Sequence, residues 1–407
     1  MKILVVCQHY WPENFRINDI VDGFIERGHQ VDVLCGQPNY PAGEFFEGYD
    51  SHSVKEEQHG EVHIYRTFEI KRGNNSNLRI FLNYITYPVV SFFRAGKLKK
   101  NGYDRIFIYQ LSPVMMAAAG LRLRKKLKID TTMYILDIWP QNLYSVLNIQ
   151  NPLLRKLMYR ISMSVYKQPD RLITVSEKMR QYFLGKLNRS EEDIVFVPQS
   201  PEKLYEERRS NEELKARFPE GFRIVFTGNI SPAQNFGMIT QAAKLLKEEG
   251  FHDIFFIIVG DGMSAKDLRA DVAEKGLEDM FFFEGFHPIG EMPEYTDLAD
   301  ALLAALRSEG VEDYSIPAKV MSYMASGKPL LIAMEGEINH IIHEAGCGLT
   351  SDPDDAAALA ENIKTLRNMS AEERAVMGQN AFAYQQEHFE RDKSIDRILD
   401  VIIGEKK

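Results

Sequence analysis

Short apolar runs alternate with segments of helical periodicity from the start of the chain. The run KILVVC (2–7) predicts a buried strand, and QVDVLC (30–35) predicts a second one. Between them, apolar side chains recur at the spacing of a helix with one buried face, at Ile17, Ile20, Val21, Phe24 and Ile25. Gly28 is placed to end that helix. A strand, a helix and a strand in succession indicate a parallel sheet with a right-handed crossover.

This alternation continues along the chain and restarts once. Further buried strands are predicted at VHIYR (62–66), RIFIYQL (105–111), TTMYIL (131–136), RLITVS (171–176) and IVFVP (194–198). The polar stretch at 200–221 has the composition of a linker. Beyond it the pattern resumes with FRIVFTG (222–228), DIFFIIVGDG (253–262), MFFFEGF (280–286), DALLAAL (300–306) and PLLIA (329–333).

The pattern predicts an α/β protein with two doubly wound, Rossmann-like domains in series. A chain of 407 residues is long enough for two cores, because single cores stop growing at about 250 to 300 residues. We expect a first domain at 1–200, a second at 201–387, and a final helix within 388–407 that packs back on the first. Ligands of such sheets bind beyond the carboxyl ends of the strands, so we expect the site in a cleft that both domains face.

Charge is distributed unevenly along the chain. The segment 71–190 carries 22 Lys or Arg and 5 Asp or Glu, a net charge of +17 in a chain whose total is −9. Aromatic and apolar residues are interleaved with this charge, as in FLNYITYPVVSFF (81–93). Such a segment suits an anionic membrane surface. Ordinary solvated helix faces remain the alternative, and nucleic acid is not expected because no recognition motif accompanies the charge.

Cysteine usage and hydropathy indicate a cytoplasmic protein. The three cysteines, Cys7, Cys35 and Cys347, are widely spaced and form no metal or disulfide motif. The first residues are typical of a strand and not of a signal peptide. No apolar run approaches the roughly 20 residues that span a bilayer. We therefore expect a cytoplasmic protein that is at most peripheral at the inner face of the cell membrane.

Several strand ends carry candidate chemistry. FTGNISPAQNFG (226–237) is a glycine turn between a strand and a helix, and VGDG (259–262) is a second such turn. The free N–H groups of a helix start favour phosphate, although a plain tight turn remains the alternative. Asp137 directly follows a strand and is placed either to contact substrate or to cap the next turn. His9, His287 and His340 lack metal-ligand spacing.

Taken together, these segments resemble the two-domain (GT-B fold) nucleotide-sugar glycosyltransferases of family 4, which retain the anomeric configuration. The stretch 11–43 resembles the amino-terminal signature of a sub-group that builds bacterial surface polysaccharides and includes fucosamine-type transferases. LDIWPQN (136–142) is similar to that sub-group's QDLWPES. Other segments fall in the family's order, namely ITVSEKM (173–179), FTGNISPAQN (226–235), VGDG (259–262), EGFHPIGEMPEYTDLADALL (284–303) and SIPAKVMSYMASGKPLL (315–331).

The chain departs from the family at charged positions. Typical members have two glutamates eight positions apart, one contacting the donor sugar and one the ribose, where this chain has Tyr314 and Ser322. Typical members also place Arg and Lys in the first glycine turn, near which Asn229 and Asn235 stand here. Lys319 is retained in the SIPAK loop. The resemblance therefore implies a diphosphate held by backbone N–H groups near Gly228 and Ser315, with Lys319 as the cation.

Site residues follow from the resemblance. The implied catalytic residues are Asp137 and Lys319, although members often carry His before that acid, where this chain has Leu136. Glu13 and Arg16 are implied to contact the acceptor; a surface salt bridge is the alternative for Arg16. The implied donor-binding residues are Gly228, Asn229, Gln234, Asn235, Gly260, Gly285, Phe286, His287, Ser315, Ile316, Pro317 and Ser322, with the base near Gly285, Phe286 and His287.

The resemblance implies front-face transfer without a metal or cofactor. The donor is expected to be a UDP-linked, N-acetylated amino sugar, and the acceptor a lipid-linked or saccharide hydroxyl. Two other functions stay open at this point. The chain could be a catalytically silent partner of another glycosyltransferase, because several charged positions are neutral here. An epimerase or phosphorylase of the same fold is the third alternative, against which the PNYPAG stretch (38–43) and the absence of a cofactor lysine environment speak.

Overall fold

Two compact units make up the protein. The computed structural model describes residues 1–40, 43–73, 77–141, 144, 151–205, 207, 209–307, 314 and 316–404. One unit comprises Met1–Pro198 with Asp392–Lys407, and the other comprises Gln199–Arg391. Each unit is built on its own β-sheet.

The first unit holds an eight-stranded sheet with the strand order β3-β4-β2-β1-β5-β6-β7-β8. All neighbouring strands pair in parallel except β3 and β4 at the edge, which are antiparallel. The strands are β1 (Lys2–Val6), β2 (Gln30–Cys35), β3 (Glu56–His59), β4 (Val62–Arg66), β5 (Arg105–Gln110), β6 (Thr131–Ile135), β7 (Arg171–Thr174) and β8 (Ile194–Phe196).

Helices cover both faces of this sheet. They are α1 (Arg16–Glu26), α2 (Asn77–Leu98), α3 (Ala118–Leu127), α4 (Pro152–Tyr166) and α5 (Glu177–Leu187), with the final helix of the chain, α14 (Arg391–Ile403), beside α1. A Cβ at Gly23 of α1 would lie 2.3 Å from Ile395 of α14, and Arg27 bonds to Asp392 and Asp396. The end of the chain is therefore part of the first unit.

The second unit holds a six-stranded parallel sheet with the strand order β11-β10-β9-β12-β13-β14. Its strands are β9 (Phe222–Thr227), β10 (Ile254–Val259), β11 (Phe281–Gly285), β12 (Ala301–Ala305), β13 (Leu330–Ala333) and β14 (Gly348–Ser351). Its helices are α6 (Glu212–Ala216), α7 (Phe236–Glu248), α8 (Ala265–Glu274), α9 (Met292–Asp297), α10 (Ala318–Ser326), α11 (Glu337–Ala345), α12 (Ala356–Asn368) and α13 (Ala371–His388).

The prediction of a linker at 200–221 was wrong. This stretch contains a 3-10 turn at Lys203–Tyr205 and helix α6, whose start is capped by the Asn211 side chain. Tyr205, Leu214 and Phe218 are buried in the core of the second unit. Only a few apolar residues, widely separated by charges, anchor the stretch, and such spacing shows no helical or strand period.

None of the helices in the described ranges combines the length and the apolar character that crossing a membrane requires.

Candidate functional site

Three glycine turns lie side by side at the carboxyl edge of the second sheet. Gly228 and Gly260 follow the neighbouring strands β9 and β10, and Gly285 ends β11 beside them. The Gly228 N–H donates to Val259 O (2.9 Å), and the Gly260 N–H donates to Gly285 O (2.7 Å). The turns predicted from sequence are therefore joined to one another by backbone hydrogen bonds.

Gly260 allows the first two turns to approach closely. Its φ is 142°, and a Cβ there would lie 1.9 Å from the Gly228 carbonyl oxygen. Residues with a side chain rarely adopt this backbone conformation. A Cβ at position 260 would also collide with main-chain atoms that cannot move aside. Glycine at 260 is thus required by geometry.

The Gly228 N–H itself donates to Val259 O, and the prediction that backbone N–H groups near Gly228 hold the diphosphate stays a prediction. The residue contributes by having no side chain. A Cβ at Gly228 would stand 3.4 Å from Nζ of Lys319. The turn therefore leaves the approach to the Lys319 ammonium group open.

Lys319 lies in the first turn of α10, two positions after the N-cap Pro317. Its Nζ donates to Gln234 Oε1 (2.8 Å) and lies 3.8 Å from the centroid of the Phe226 ring. Within the part of the chain that the structure describes, it forms no ion pair with a carboxylate. Burial of the ammonium lowers the pKa of Lys319 to about 7. A lysine held in this way gains stabilisation from any anion that arrives beside it.

The two asparagines of the first glycine turn have different surroundings. Asn229 is exposed, whereas Asn235 is buried with φ of 49° at the start of α7. The Nδ2 of Asn235 donates to the carbonyl oxygen of Pro353. Asn235 therefore fixes the turn through its buried side chain, and its assignment to donor binding stays a prediction.

The loop after β11 presents one aromatic ring and fixes another. The Phe286 side chain is 66% exposed. His287 is held at both nitrogens, with Nδ1 2.7 Å from Glu291 Oε2 and Nε2 3.0 Å from the Tyr295 hydroxyl. The loop thus offers a ring face that a planar base can stack on, beside a fixed imidazole.

Helix α10 brings Ser322 to a carboxylate that the sequence analysis missed. The Ser322 hydroxyl donates to Glu202 Oε2 over 2.6 Å. Because Glu202 was assigned to a linker and lies 120 positions away, no sequence pattern could associate the two residues. Ile316 is buried in the core at the start of the same helix, whereas Ser315 lies outside the described residues.

In the first unit, Asp137 follows β6 and joins two neighbouring strand ends. Its Oδ2 accepts hydrogen bonds from the N–H (3.1 Å) and the hydroxyl (3.0 Å) of Ser112, which follows β5. Its main-chain carbonyl accepts from Tyr166 and Gln110. The carboxylate is only partly buried, so it fixes the Ser112 loop and still meets solvent.

Glu13 lies inside the first unit and only 1% of it is exposed. Its Oε1 accepts from the N–H groups of Asn39 (2.8 Å) and Tyr40 (2.7 Å), and its Oε2 is 3.0 Å from His9 Nδ1. The carboxylate therefore ties the loops after β1 and β2 together. Arg16, at the first position of α1, is partly exposed.

Glu69 is a second buried carboxyl group near these loops. It was not among the residues predicted from the sequence. Its Oε1 accepts from Gln8 (2.7 Å) and Asn83 (2.6 Å). Complete burial raises the pKa of Glu69 to about 7. A Cβ at Gly36 would lie 1.7 Å from its Oε2, so backbone closes that side of the group. Glu69 is thus a packed internal group.

Comparison with family models gives two matches that divide the chain. Residues 15–200 match the model described as Glycosyltransferase Family 4. Residues 208–384 match the model described as Glycosyl transferases group 1. The two matches lie one after the other and together take in most of the chain.

Curated relatives cover both matches in one protein. WcaI of Escherichia coli (strain K12), assigned as a colanic acid biosynthesis glycosyl transferase, is 24% identical over 89% of this chain and 91% of its own length. WbjE of Pseudomonas aeruginosa, assigned as a glycosyltransferase, is 25% identical over 78% of this chain and 80% of its own length.

Solved structures share the fold. The crystal structure of Anabaena Alr3699/HepE in complex with UDP superimposes with a TM-score of 0.72 at 15% identity, covering 100% of both chains. Two parallel-sheet α/β units, the two family models and these relatives agree, and they confirm the GT-B fold predicted from sequence. On this fold the chain carries a Glycosyltransferase Family 4 domain at 15–200, followed by a Glycosyl transferases group 1 domain at 208–384.

Proposed function

We propose that the protein transfers a sugar, with retention, from a nucleotide diphosphate donor to a lipid-linked or saccharide acceptor during surface polysaccharide biosynthesis. The Lys319 ammonium group, which lies beside Gly228 at the end of β9 where no side chain covers it, is the observation that carries this proposal. WcaI, a relative over most of its length, is assigned to colanic acid biosynthesis. HepE, which has the same fold, was crystallised with UDP, and this supports uridine as the base.

The donor sugar is proposed to be an N-acetylated amino sugar. Support for this choice comes from the stretch 11–43, which resembles the amino-terminal signature of transferases for fucosamine-type sugars. The base would stack on the exposed ring of Phe286, beside the fixed imidazole of His287. The diphosphate would lie against Lys319, and the amino group of Lys319 would then be protonated.

The reaction is proposed to proceed on one face of the sugar. The bond between the anomeric carbon and the β-phosphate oxygen breaks while the acceptor oxygen bonds to that carbon from the same side. The leaving diphosphate takes the proton of the acceptor hydroxyl. Charge accumulates on the diphosphate, where the Lys319 ammonium stabilises it, and this scheme calls for no metal. Asp137 is proposed to orient the donor sugar or the acceptor.

A thermal-shift screen against nucleotide diphosphate sugars tests this proposal. A ligand that binds only the folded protein raises the melting temperature, so one donor should stabilise the protein while the matching nucleoside monophosphate should not. A nucleotide sugar that stabilises the protein should also release its nucleoside diphosphate when acceptor lipid extract is added. If every nucleotide sugar leaves the melting temperature unchanged, the catalytically silent alternative replaces this proposal.

We also propose that the first unit docks on an anionic bilayer, at the inner face of the cell membrane. Helices α2, α3 and α4 contain no Asp or Glu. Their basic residues are Arg79, Arg94, Lys97, Arg122, Arg124, Lys125, Lys126, Arg155, Lys156 and Arg160. Each basic residue near such a surface contributes about 1 kcal/mol. Charge alone would also suit nucleic acid, so the apolar residues decide between the two.

Exposed apolar side chains are concentrated on two of these helices. On α2 they are Leu78, Phe81, Ile85, Val89, Phe92 and Phe93, and on α4 they are Leu153, Leu154, Leu157 and Ile161. A groove of about 560 Å³ lies beside Phe92 of α2 and is lined mainly by α3, with Val165 of α4 at its edge. Large apolar side chains beside basic ones match the interface of lipid tails and anionic headgroups, and they offer nothing to a phosphate backbone. We call these two rows the apolar face.

A further inference from the structure

The segment before α6 delivers a carboxylate to helix α10. Glu202 stands at the start of the 3-10 turn Lys203–Tyr205, and its Oε2 accepts the hydrogen of the Ser322 hydroxyl (2.6 Å). Tyr205 is buried in the core that also contains Val320 and Met321 of α10, and Leu204 packs against it. The position of Glu202 is therefore set by core packing on the same helix that carries Lys319.

The Glu202 carboxylate contacts α10 at Ser322, on the side of the helix that carries the proposed diphosphate contact. Lys319 and Ser322 are three positions apart on α10, a spacing that makes side chains neighbours on one side of a helix. The Lys319 ammonium stands beside the Gly228 turn. One turn further along, Ser322 holds the carboxylate of Glu202.

The same segment continues towards the loop proposed to hold the base. The Arg209 guanidinium donates to the carbonyl oxygen of Gly290 (3.3 Å), in the turn that follows Phe286 and His287. Asn211 donates to Glu294 of α9 (2.6 Å). Glu202 thus contacts the helix beside the diphosphate position, and Arg209 and Asn211 contact the loop and helix beside the base position. In every nucleotide the ribose lies between these two groups.

From this arrangement we infer that Glu202 accepts hydrogen bonds from the ribose hydroxyls of the donor nucleotide, and that Ser322 orients its carboxylate. The inference rests on the proposed function. A carboxylate is the side chain best suited to two neighbouring hydroxyl donors, because hydrogen bonds to a charged acceptor are about twice as strong as neutral ones. The Ser322 hydroxyl donates a hydrogen bond to Glu202, so Ser322 acts as a positioning residue. The carboxylate that α10 lacks is thus supplied by another segment.

Calorimetry with ribose analogues tests this inference on the full chain. The ligands are UDP, GDP and ADP, each with its 2′,3′-dideoxy counterpart, and the readout is the ratio of the two dissociation constants. The wild-type protein should prefer the hydroxylated nucleotide by about 10- to 100-fold. Glu202→Gln keeps an acceptor for Ser322 but removes the charge, so the ratio should fall to about threefold or less. Glu212→Gln, the same change at an exposed position of the adjoining helix α6, should leave the ratio unchanged.

Two further variants keep the test informative if Glu202→Gln misfolds. Ser322→Ala retains Glu202 and should lower the ratio in part. The exchanged pair Glu202→Ser with Ser322→Glu moves the carboxylate onto α10 and should restore it. An undiminished ratio in both Glu202→Gln and Ser322→Ala would overturn the inference and leave the proposed function standing. If none of the three diphosphates binds the wild-type protein, the proposed function fails and the inference fails with it.

Discussion

At the residue scale, the proposed contact between Lys319 and the diphosphate should make nucleotide binding depend on pH. Burial lowers its pKa to about 7, so the free protein holds a neutral amine above that pH and an ammonium below it. An adjacent diphosphate stabilises the ammonium and raises the pKa in the complex. Between the two pKa values binding takes up a proton, and the affinity should fall by up to about tenfold per pH unit as the pH rises. Below pH 7 the affinity should be level.

Calorimetric titrations between pH 6 and pH 9 measure this effect. A nucleotide sugar is the proper ligand, because its diphosphate is a diester with no proton to lose in this range. Lys319→Arg keeps a charge at every pH and should bind with a level profile. A wild-type affinity that stays constant from pH 7 to pH 9 would show that the ammonium does not face the diphosphate.

Asp137 offers a second prediction at this scale. Asp137→Asn retains an oxygen that can accept both hydrogen bonds from Ser112, so the fold should keep its melting temperature within a few degrees. If the negative charge orients a substrate, sugar transfer should drop by about 100-fold or more. Ser112→Ala removes one hydrogen bond and keeps the charge, so it serves as the matched control. A fully active Asp137→Asn enzyme would assign Asp137 to loop architecture alone.

At the element scale, the apolar face of α2 and α4 predicts vesicle binding. Phe93→Ser with Leu153→Ser removes two of its most exposed members, at 67% and 78% exposure. Each change should weaken binding to phosphatidylglycerol vesicles by about fivefold, because each apolar side chain contributes about 1 kcal/mol or more when it enters the interface. Co-sedimentation at fixed salt measures this loss. Lys125→Glu with Lys126→Glu should weaken it further on anionic vesicles only.

The second unit supplies the control for this experiment. Met263→Ser and Val376→Ser remove side chains of comparable exposure, 61% and 55%, outside the apolar face. They should leave vesicle binding unchanged. Equal losses from both pairs of variants would contradict a specific docking face. Binding of mixed-sequence RNA with no affinity for vesicles would assign the basic charge to nucleic acid.

Other elements show where the sequence pattern carries information and where it does not. Buried strands such as β5 and β10 are continuous apolar runs, and such runs predict strands well. The edge strand β3 has the sequence EEQH and is mostly exposed, so no apolar pattern predicts it. The four-residue strand β14 was not predicted from the sequence either. The segment 200–221 is held by a few scattered apolar anchors, which makes a folded stretch look like a linker.

At the scale of the whole molecule, the repeated strand and helix pattern predicts the fold class because each unit is built from local crossovers. Contacts between positions that are distant in sequence are not predicted by such local patterns. Ser322 and Glu202 are 120 residues apart, and Asp137 and Ser112 come from different strand ends. Such pairs depend on how the sheets assemble. The chain therefore shows which loops carry polar residues, and the structure shows which of these residues meet.

The central proposal is that Lys319 holds a sugar nucleotide by its diphosphate at the glycine turns of the second unit. Calorimetry of the donor found in the thermal-shift screen, at pH 6.5 where the ammonium is charged, measures this most directly. Lys319→Met should weaken binding by about 10- to 100-fold, the loss of one charged hydrogen-bonding partner. Lys266→Met, at an exposed position of α8, should bind as the wild type does. Equal affinity of Lys319→Met and the wild type would show that Lys319 does not hold the diphosphate.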